Sequence, residues 1–201
     1  MNKKIFTASL LASLAVSVYA ADFNLGVSGS DSGINGFSLS VGEYYRAPAE
    51  EVRIIRRALP SEELSVVYYL ARKSNRHPEY ITKMRTNGRS WWDIAIALRL
   101  DPHVIYIAEA PRGKAYGHYK NKKGKLRDVE VVEIVNTRFL SSYHKVSADE
   151  IYDRRHSGRG YDAIDDDYRG KKHGKEDNRK QGDDNNGHRH DNGKGHGKNR
   201  D

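Results

Sequence analysis

The stretch Ile81-Thr82-Lys83-Met84-Arg85-Thr86-Asn87-Gly88-Arg89-Ser90-Trp91-Trp92-Asp93-Ile94 decides how the rest of the chain is read. Sliding the sequence along itself by 70 residues lays it on Ile151 to Ile164 without a gap. Ile81 meets Ile151, Arg85 meets Arg155, Gly88-Arg89 meets Gly158-Arg159, Trp91 meets Tyr161 and Ile94 meets Ile164. Upstream the same register carries Tyr69-Leu70 onto Phe139-Leu140 and Glu79 onto Asp149. Glycine, aromatic and aliphatic positions match together, which a chance alignment of one residue class does not produce. Each stretch reads as a long helix, a turn, a second helix, a Gly-Arg turn and a third helix. Gly88 and Gly158 fall where a helix ends in a left-handed residue, a conformation that costs glycine little.

The expected fold is therefore mainly α: an internally duplicated helical domain over 47–169, with copies at about 61–110 and 128–169. Two units are fewer than a solenoid requires. In the second copy Asp162 replaces Trp92 and Asp167 replaces Ala97, so its last helix is expected to be short and more exposed than that of the first. Start signals support the helices. Ser61 precedes Glu62 and Glu63, an N-cap followed by an acidic first turn. Ser90 with Asp93, and Ser147 with Glu150, have capping-box spacing. Pro78 and Pro102 suit first helical positions. Apolar faces follow at helical spacing: Val66, Tyr69 and Leu70; Ile81 and Met84; Trp92, Ala95 and Leu98; Val131, Ile134 and Val135.

Outward from this domain the composition changes. Residues 1–20 carry Lys3 and Lys4, an uncharged apolar run from Ile5 to Val18, and Val18-Tyr19-Ala20 before Ala21. That is the three-part pattern of a cleavable secretory signal, with an apolar run too short to span a bilayer. No cysteine follows it to carry a lipid, and no later segment is long and apolar enough to span. The chain is expected to be exported, periplasmic or secreted. Residues 21–46 are rich in Gly and Ser. Phe23, Leu25 and Val27 alternate on one side of Gly29-Ser30-Asp31-Ser32-Gly33, and Phe37, Leu39 and Val41 on the other, a β-hairpin pattern. Residues 170–201 contain no hydrophobic side chain, so nothing offsets their conformational entropy and disorder is expected.

The 201 residues hold 35 Lys and Arg against 27 Asp and Glu, a formal charge of +8, and no Cys. Absence of Cys excludes thiol nucleophiles, iron–sulfur clusters, Cys-zinc sites and c-type haem attachment. Positive charge outside the cytoplasm points to anionic envelope polymers, anionic lipids or extracellular nucleic acid. The densest charge lies between the copies. Residues 112–127 hold Arg112, Lys114, Lys120, Lys122, Lys123, Lys125 and Arg127 with no acid, interleaved with Tyr116, His118 and Tyr119. Cations among aromatic rings favour phosphate-bearing polymers through counterion release and stacking. The alternative contact is a metal. His188, His190 and His196, with Asp183, Asp184 and Asp191 nearby, offer imidazole and carboxylate ligands of modest affinity.

Gly88-x-Ser90-x-x-Asp93-Ile94-Ala95-x-x-Leu98 followed by Pro102-x-Val104 resembles a helix-turn-helix. The would-be recognition helix, 102–109, has no Lys or Arg and carries Ile105, Tyr106, Ile107 and Ala108. Reading DNA requires polar or basic side chains there, so the pattern is expected to serve packing, and chromosomal DNA is not an expected partner. The run Gly88-Arg89-Ser90-Trp91-Trp92-Asp93-Ile94, preceded by Ile81 to Arg85, also resembles a motif of uncharacterised exported bacterial proteins. That resemblance covers at most 61–168 and implies no activity and no catalytic residues.

Enzyme signatures are missing from the sequence. Ser28, Ser30 and Ser32 lack the spacing of a nucleophile elbow. His77, His103, His118, His144 and His156 have no motif partner, and Asp165-Asp166-Asp167 reads as an exposed helix end. A carboxylate pair drawn from Glu62, Glu63 or Glu79 would have to be assembled in space. The expected function is a non-enzymatic binding or structural protein of the envelope with no cofactor, whose partner is an anionic polymer or another protein.

Overall fold

The computed structural model describes residues 35–170, Lys123 excepted. The signal segment, the first hairpin arm (Phe23, Leu25 and Val27) and the histidines of the tail lie outside the described residues. Among the described residues the regular elements are all helices.

The second arm of the expected hairpin is helical instead. Helix α1, Gly36–Tyr45, is capped by Asn35, whose Oδ1 accepts from Ser38 N at 3.0 Å and from the Ser38 hydroxyl at 2.6 Å. Alternation of Phe37, Leu39 and Val41 matches a strand, but Phe37 and Val41 also stand four apart, which places them on one helix face. Both are fully buried, whereas Leu39 is half-buried. Buried Ser38, Ser40 and Gly42 let the helix lie close to its neighbours. At Gly36 a Cβ would come within 2.5 Å of Asp166 Oδ1, so only glycine fits that approach without a shift.

Helix α2, Ala49–Ala58, has Glu50 and Glu51 in its first turn and Arg56 and Arg57 in its last, complementing the helix dipole, and buries Val52 and Ile55. Helix α3, Ser61–Ser74, starts one residue earlier than expected: Pro60 is its N-cap, and the Ser61 hydroxyl donates to Asp162 at 3.3 Å. Helix α4, Pro78–Thr86, has Pro78 in its first turn, and α5, Trp91–Ala97, is capped by Ser90 Oγ accepting from Asp93 N at 3.2 Å. A π-helical turn, His103–Ala108, replaces the would-be recognition helix. It buries Ile105, Tyr106 and Ile107, and the Tyr106 hydroxyl donates to Trp91 O at 3.1 Å, which anchors it in the core.

Helix α6, Lys114–Tyr119, lies within the basic segment. Helix α7, Asp128–His144, opens with Arg127 N donating to Glu130 Oε2 at 2.8 Å; α8, Ala148–His156, opens with Ser147 Oγ accepting from Glu150 N at 3.1 Å. A last helix, α9, occupies 161–170. It is longer than α5, which corrects the expectation of a short helix, and it buries Tyr161, Ile164, Asp165 and Tyr168. Helices α4 and α8 have bounds 70 residues apart, as do the left-handed caps Asn75 (φ 52°) and Lys145 (φ 58°) and the turns at Gly88 (φ 81°) and Gly158 (φ 92°).

Helices α3 and α7 form the central pair. Their seam holds a buried polar pair: the Ser65 hydroxyl donates to Asn136 Oδ1, while Asn136 Nδ2 donates to Glu62 O at 2.9 Å. Phe37 and Phe139 meet edge to face at 5.5 Å, fixing α1 on α7. Trp91, Tyr106, Leu64, Leu70, Ile134 and Leu140 fill the interior. The Asp165-Asp166-Asp167 run is not an exposed helix end. A helix turns its side chains through about 100° per residue, so three neighbours face three ways. Asp165 is fully buried against His144, while Asp167 reaches Arg154 at 3.0 Å and Arg159 at 2.8 Å.

Candidate functional site

The basic segment is folded down rather than held out. Tyr119 and Leu126 are buried, which pins the middle and the C-terminal end of the segment to the domain. Four of its cations pair with acids of the domain: Lys114 with Asp153 at 2.6 Å, Lys122 with Glu130 at 2.5 Å, Lys125 with Asp93 at 2.7 Å and Arg127 with Glu130 at 3.5 Å. The Asp93 carboxyl is held below its usual range by hydrogen bonds from Lys125 and then Ser90. Arg112 stacks on Tyr116 at 4.5 Å, and His118 meets Tyr119 edge to face at 4.7 Å. Among the described residues, Arg112 and Lys120 are the segment's cations without a carboxylate at ion-pair distance; Lys123 lies outside them. The sequence-predicted cluster is therefore brought together only in part, and much of its charge is internally compensated.

A second concentration of cations and rings arises where the end of α1 crosses α3 and α7. Two hollows of about 320 and 210 Å³ share Tyr45 and Arg72 and together form a groove. The Arg72 guanidinium lies 5.7 Å from the Tyr44 ring and 4.8 Å from the Tyr45 ring, and it donates to Tyr44 O at 3.5 Å. Each such cation–ring contact contributes about 0.5–2 kcal/mol and holds the guanidinium plane in place. No carboxylate of the described residues stands at ion-pair distance from Arg72. Arg138 lies 4.9 Å from the Tyr69 ring and 3.9 Å from Glu109, which also pairs with Lys73 at 2.5 Å. One acid thus answers two cations, and Arg46 at the rim is exposed. The groove is net positive, and burial pushes the Tyr69 phenol up to about 12 and the Tyr45 phenol higher, which keeps both protonated.

These residues were missed in the sequence because they come from three helices. The available signal was the pair of doublets Tyr44-Tyr45 and Tyr68-Tyr69, with Arg72 one turn beyond the second.

A third feature is a polar cleft of about 350 Å³ between the starts of α3 and α7 and the ends of α4 and α8. Glu62 and Glu63 line it, whereas Glu79 sits at the start of α4 near His77. Glu63 is not free for acid–base work. Arg85 Nη2 meets it at 2.5 Å and Nε at 3.0 Å, while Nη1 holds Asp128 at 2.6 Å. These hydrogen bonds, Glu63 first, raise the Arg85 guanidinium further and fix both carboxylates as counter-ions. Among the described residues no three His, Asp or Glu side chains are placed to hold a metal ion, and no helix is long and apolar enough to cross a membrane. The tail histidines His188, His190 and His196 lie outside the described residues. No family model matches the chain, and neither a curated protein nor a solved structure matches it.

Proposed function

We propose that this is an exported, non-enzymatic binding protein of the cell envelope, built on an internally duplicated helical unit, whose partner is an anionic polymer. The single observation behind the binding role is Arg72: a guanidinium positioned by two tyrosine rings, beside a groove, with no carboxylate partner among the described residues. A pre-positioned arginine loses little freedom when it forks onto a carboxylate or phosphate, which is why such groups recur at anion contacts. Arg46 and Arg138 extend the positive surface along the groove. Arg112 and Lys120 of the basic segment supply a second, weaker contact, since their neighbours Lys114, Lys122 and Lys125 already hold acids.

Duplication is supported by the shared bounds of α4 and α8, by matched left-handed caps and by two arginine–ring pairs in register, Arg85 on Trp91 at 4.9 Å and Arg155 on Tyr161 at 5.2 Å. Export rests on the residue pattern of 1–20. A non-enzymatic role agrees with Glu63 and Asp128 being committed to Arg85.

Pull-down from envelope fractions tests the reading. Wild-type protein is expected to retain an acidic polymer that high salt releases, and Arg72→Gln protein to retain little. Equal retention by both proteins would rule out the groove as the contact.

A further inference from the structure

The polar cleft holds two arginines in the same setting and in opposite states of compensation. Arg85 and Arg155 each lie over an aromatic ring, Trp91 and Tyr161, and each donates to a backbone carbonyl four residues on, at 3.1 Å to Arg89 O and 3.4 Å to Arg159 O. Arg85 is saturated, with Glu63 on two nitrogens and Asp128 on the third. Arg155 has no carboxylate at ion-pair distance among the described residues. The residue that stands to it as Glu63 stands to Arg85 is Glu133, which lines the same cleft without reaching it.

Glu133 carries the complementary deficit. Its Oε1 is buried and has no hydrogen-bond partner. Burial first, and then the Glu133 charge, push the Tyr119 and Tyr161 phenols up, and the Tyr119 phenol also hydrogen-bonds the carboxylate, which leaves Oε1 as the oxygen without a donor. A buried carboxylate oxygen without a donor is costly, so native structures rarely leave one. The cleft therefore presents, beside Glu62, a guanidinium lacking an acid, Arg155, and a carboxylate with one oxygen lacking a donor, Glu133. Its volume, about 350 Å³, lies in the range of small-molecule sites.

We propose that this cleft binds a small zwitterion, a free α-amino acid, with the ligand carboxylate forked on Arg155 and its ammonium on Glu133. Arg85, Glu63 and Asp128 form the rigid opposite wall, and Tyr161 covers the apolar part. A simple anion would leave Glu133 unanswered, and a simple cation would leave Arg155 unanswered. This site is separate from the Arg72 groove and does not depend on it.

The test is isothermal titration of the full chain with each proteinogenic L-amino acid, then with the N-acetyl and carboxamide forms of the tightest binder. Blocking either end is expected to weaken binding roughly tenfold or more, the scale of one charge-assisted hydrogen bond. Arg155→Gln and Glu133→Gln should each do the same, with circular dichroism and polyanion binding unchanged. Two results overturn the proposal: no heat with any amino acid at millimolar concentration, or binding that survives both blocking groups. Failure of the two variants to fold would shift the decision to the blocked ligands, which need no mutation.

Discussion

His144 Nε2 stands 2.8 Å from Asp165 Oδ1, and the two side chains are 1% and 0% exposed. The pair joins α7 to α9, and Asp165 is further satisfied by the Ser40 hydroxyl of α1 at 2.9 Å. Arg169 closes the network, donating to Ser40 Oγ at 3.0 Å and Gly36 O at 3.1 Å. Three helices distant in sequence thus meet on one buried carboxylate.

Removing one member of this pair takes from the other a hydrogen-bond partner in a buried site. Asp165→Ala and His144→Ala are each expected to lower stability by about 1–3 kcal/mol. The double change His144→Phe with Asp165→Leu should recover much of that, because neither buried polar group remains. Urea unfolding of the three variants measures this, and equal losses in single and double variants would show that packing alone, not the hydrogen-bonded pair, sets the stability.

Glu130 gives a pH dependence with a defined sign. Burial raises its carboxyl, but hydrogen bonds from Lys122 and from the Arg127 backbone outweigh burial, and the net position is below the usual value. A carboxyl depressed in the folded state stabilises above its unfolded pKa, and that contribution disappears as pH falls through its folded pKa. Glu130→Gln is therefore expected to be destabilising at pH 7 and nearly neutral in strong acid. Midpoints of urea unfolding at several pH values check this; a penalty that stays constant into acid would contradict the assignment.

Gly88 and Gly158 end their helices at φ 81° and 92°, and at both an added Cβ would meet open space. Replacement by alanine should then cost only the backbone preference, about 1–2 kcal/mol at each site. Asparagine, which tolerates the left-handed region better, should cost less. Thermal unfolding of the four variants would show this order, and a much larger loss at one glycine would reveal a packing role that the open space does not suggest.

How far the sequence could be read depends on how local each signal is. Pro78, Ser90, Ser147, Gly88 and Gly158 act on backbone within a turn of themselves, so helices α4, α5 and α8 were legible. Helix α1 was not, since Phe37, Leu39 and Val41 fit a strand, and only burial against Phe139 and Asp166 selects the helical face. Asp165 looked exposed because its neighbours are acids, yet its partner His144 comes from another helix. Residues 112–127 looked uncompensated because Asp93, Glu130 and Asp153, which neutralise them, are on other elements. The Arg72 groove requires three helices to cross before rings and guanidinium align. Local chemistry was visible, whereas the counter-charges and the buried partners were set by tertiary packing.

The most direct test of the central claim is a salt titration of binding to polygalacturonate by three full-length proteins: wild type, Arg72→Gln, and Arg112→Gln with Lys120→Gln. Arg72→Gln is expected to weaken binding roughly tenfold, and the double loop variant by much less, with affinity in all three falling as salt rises. If the loop variant loses binding while Arg72→Gln keeps it, the contact is the basic segment and the groove reading is wrong.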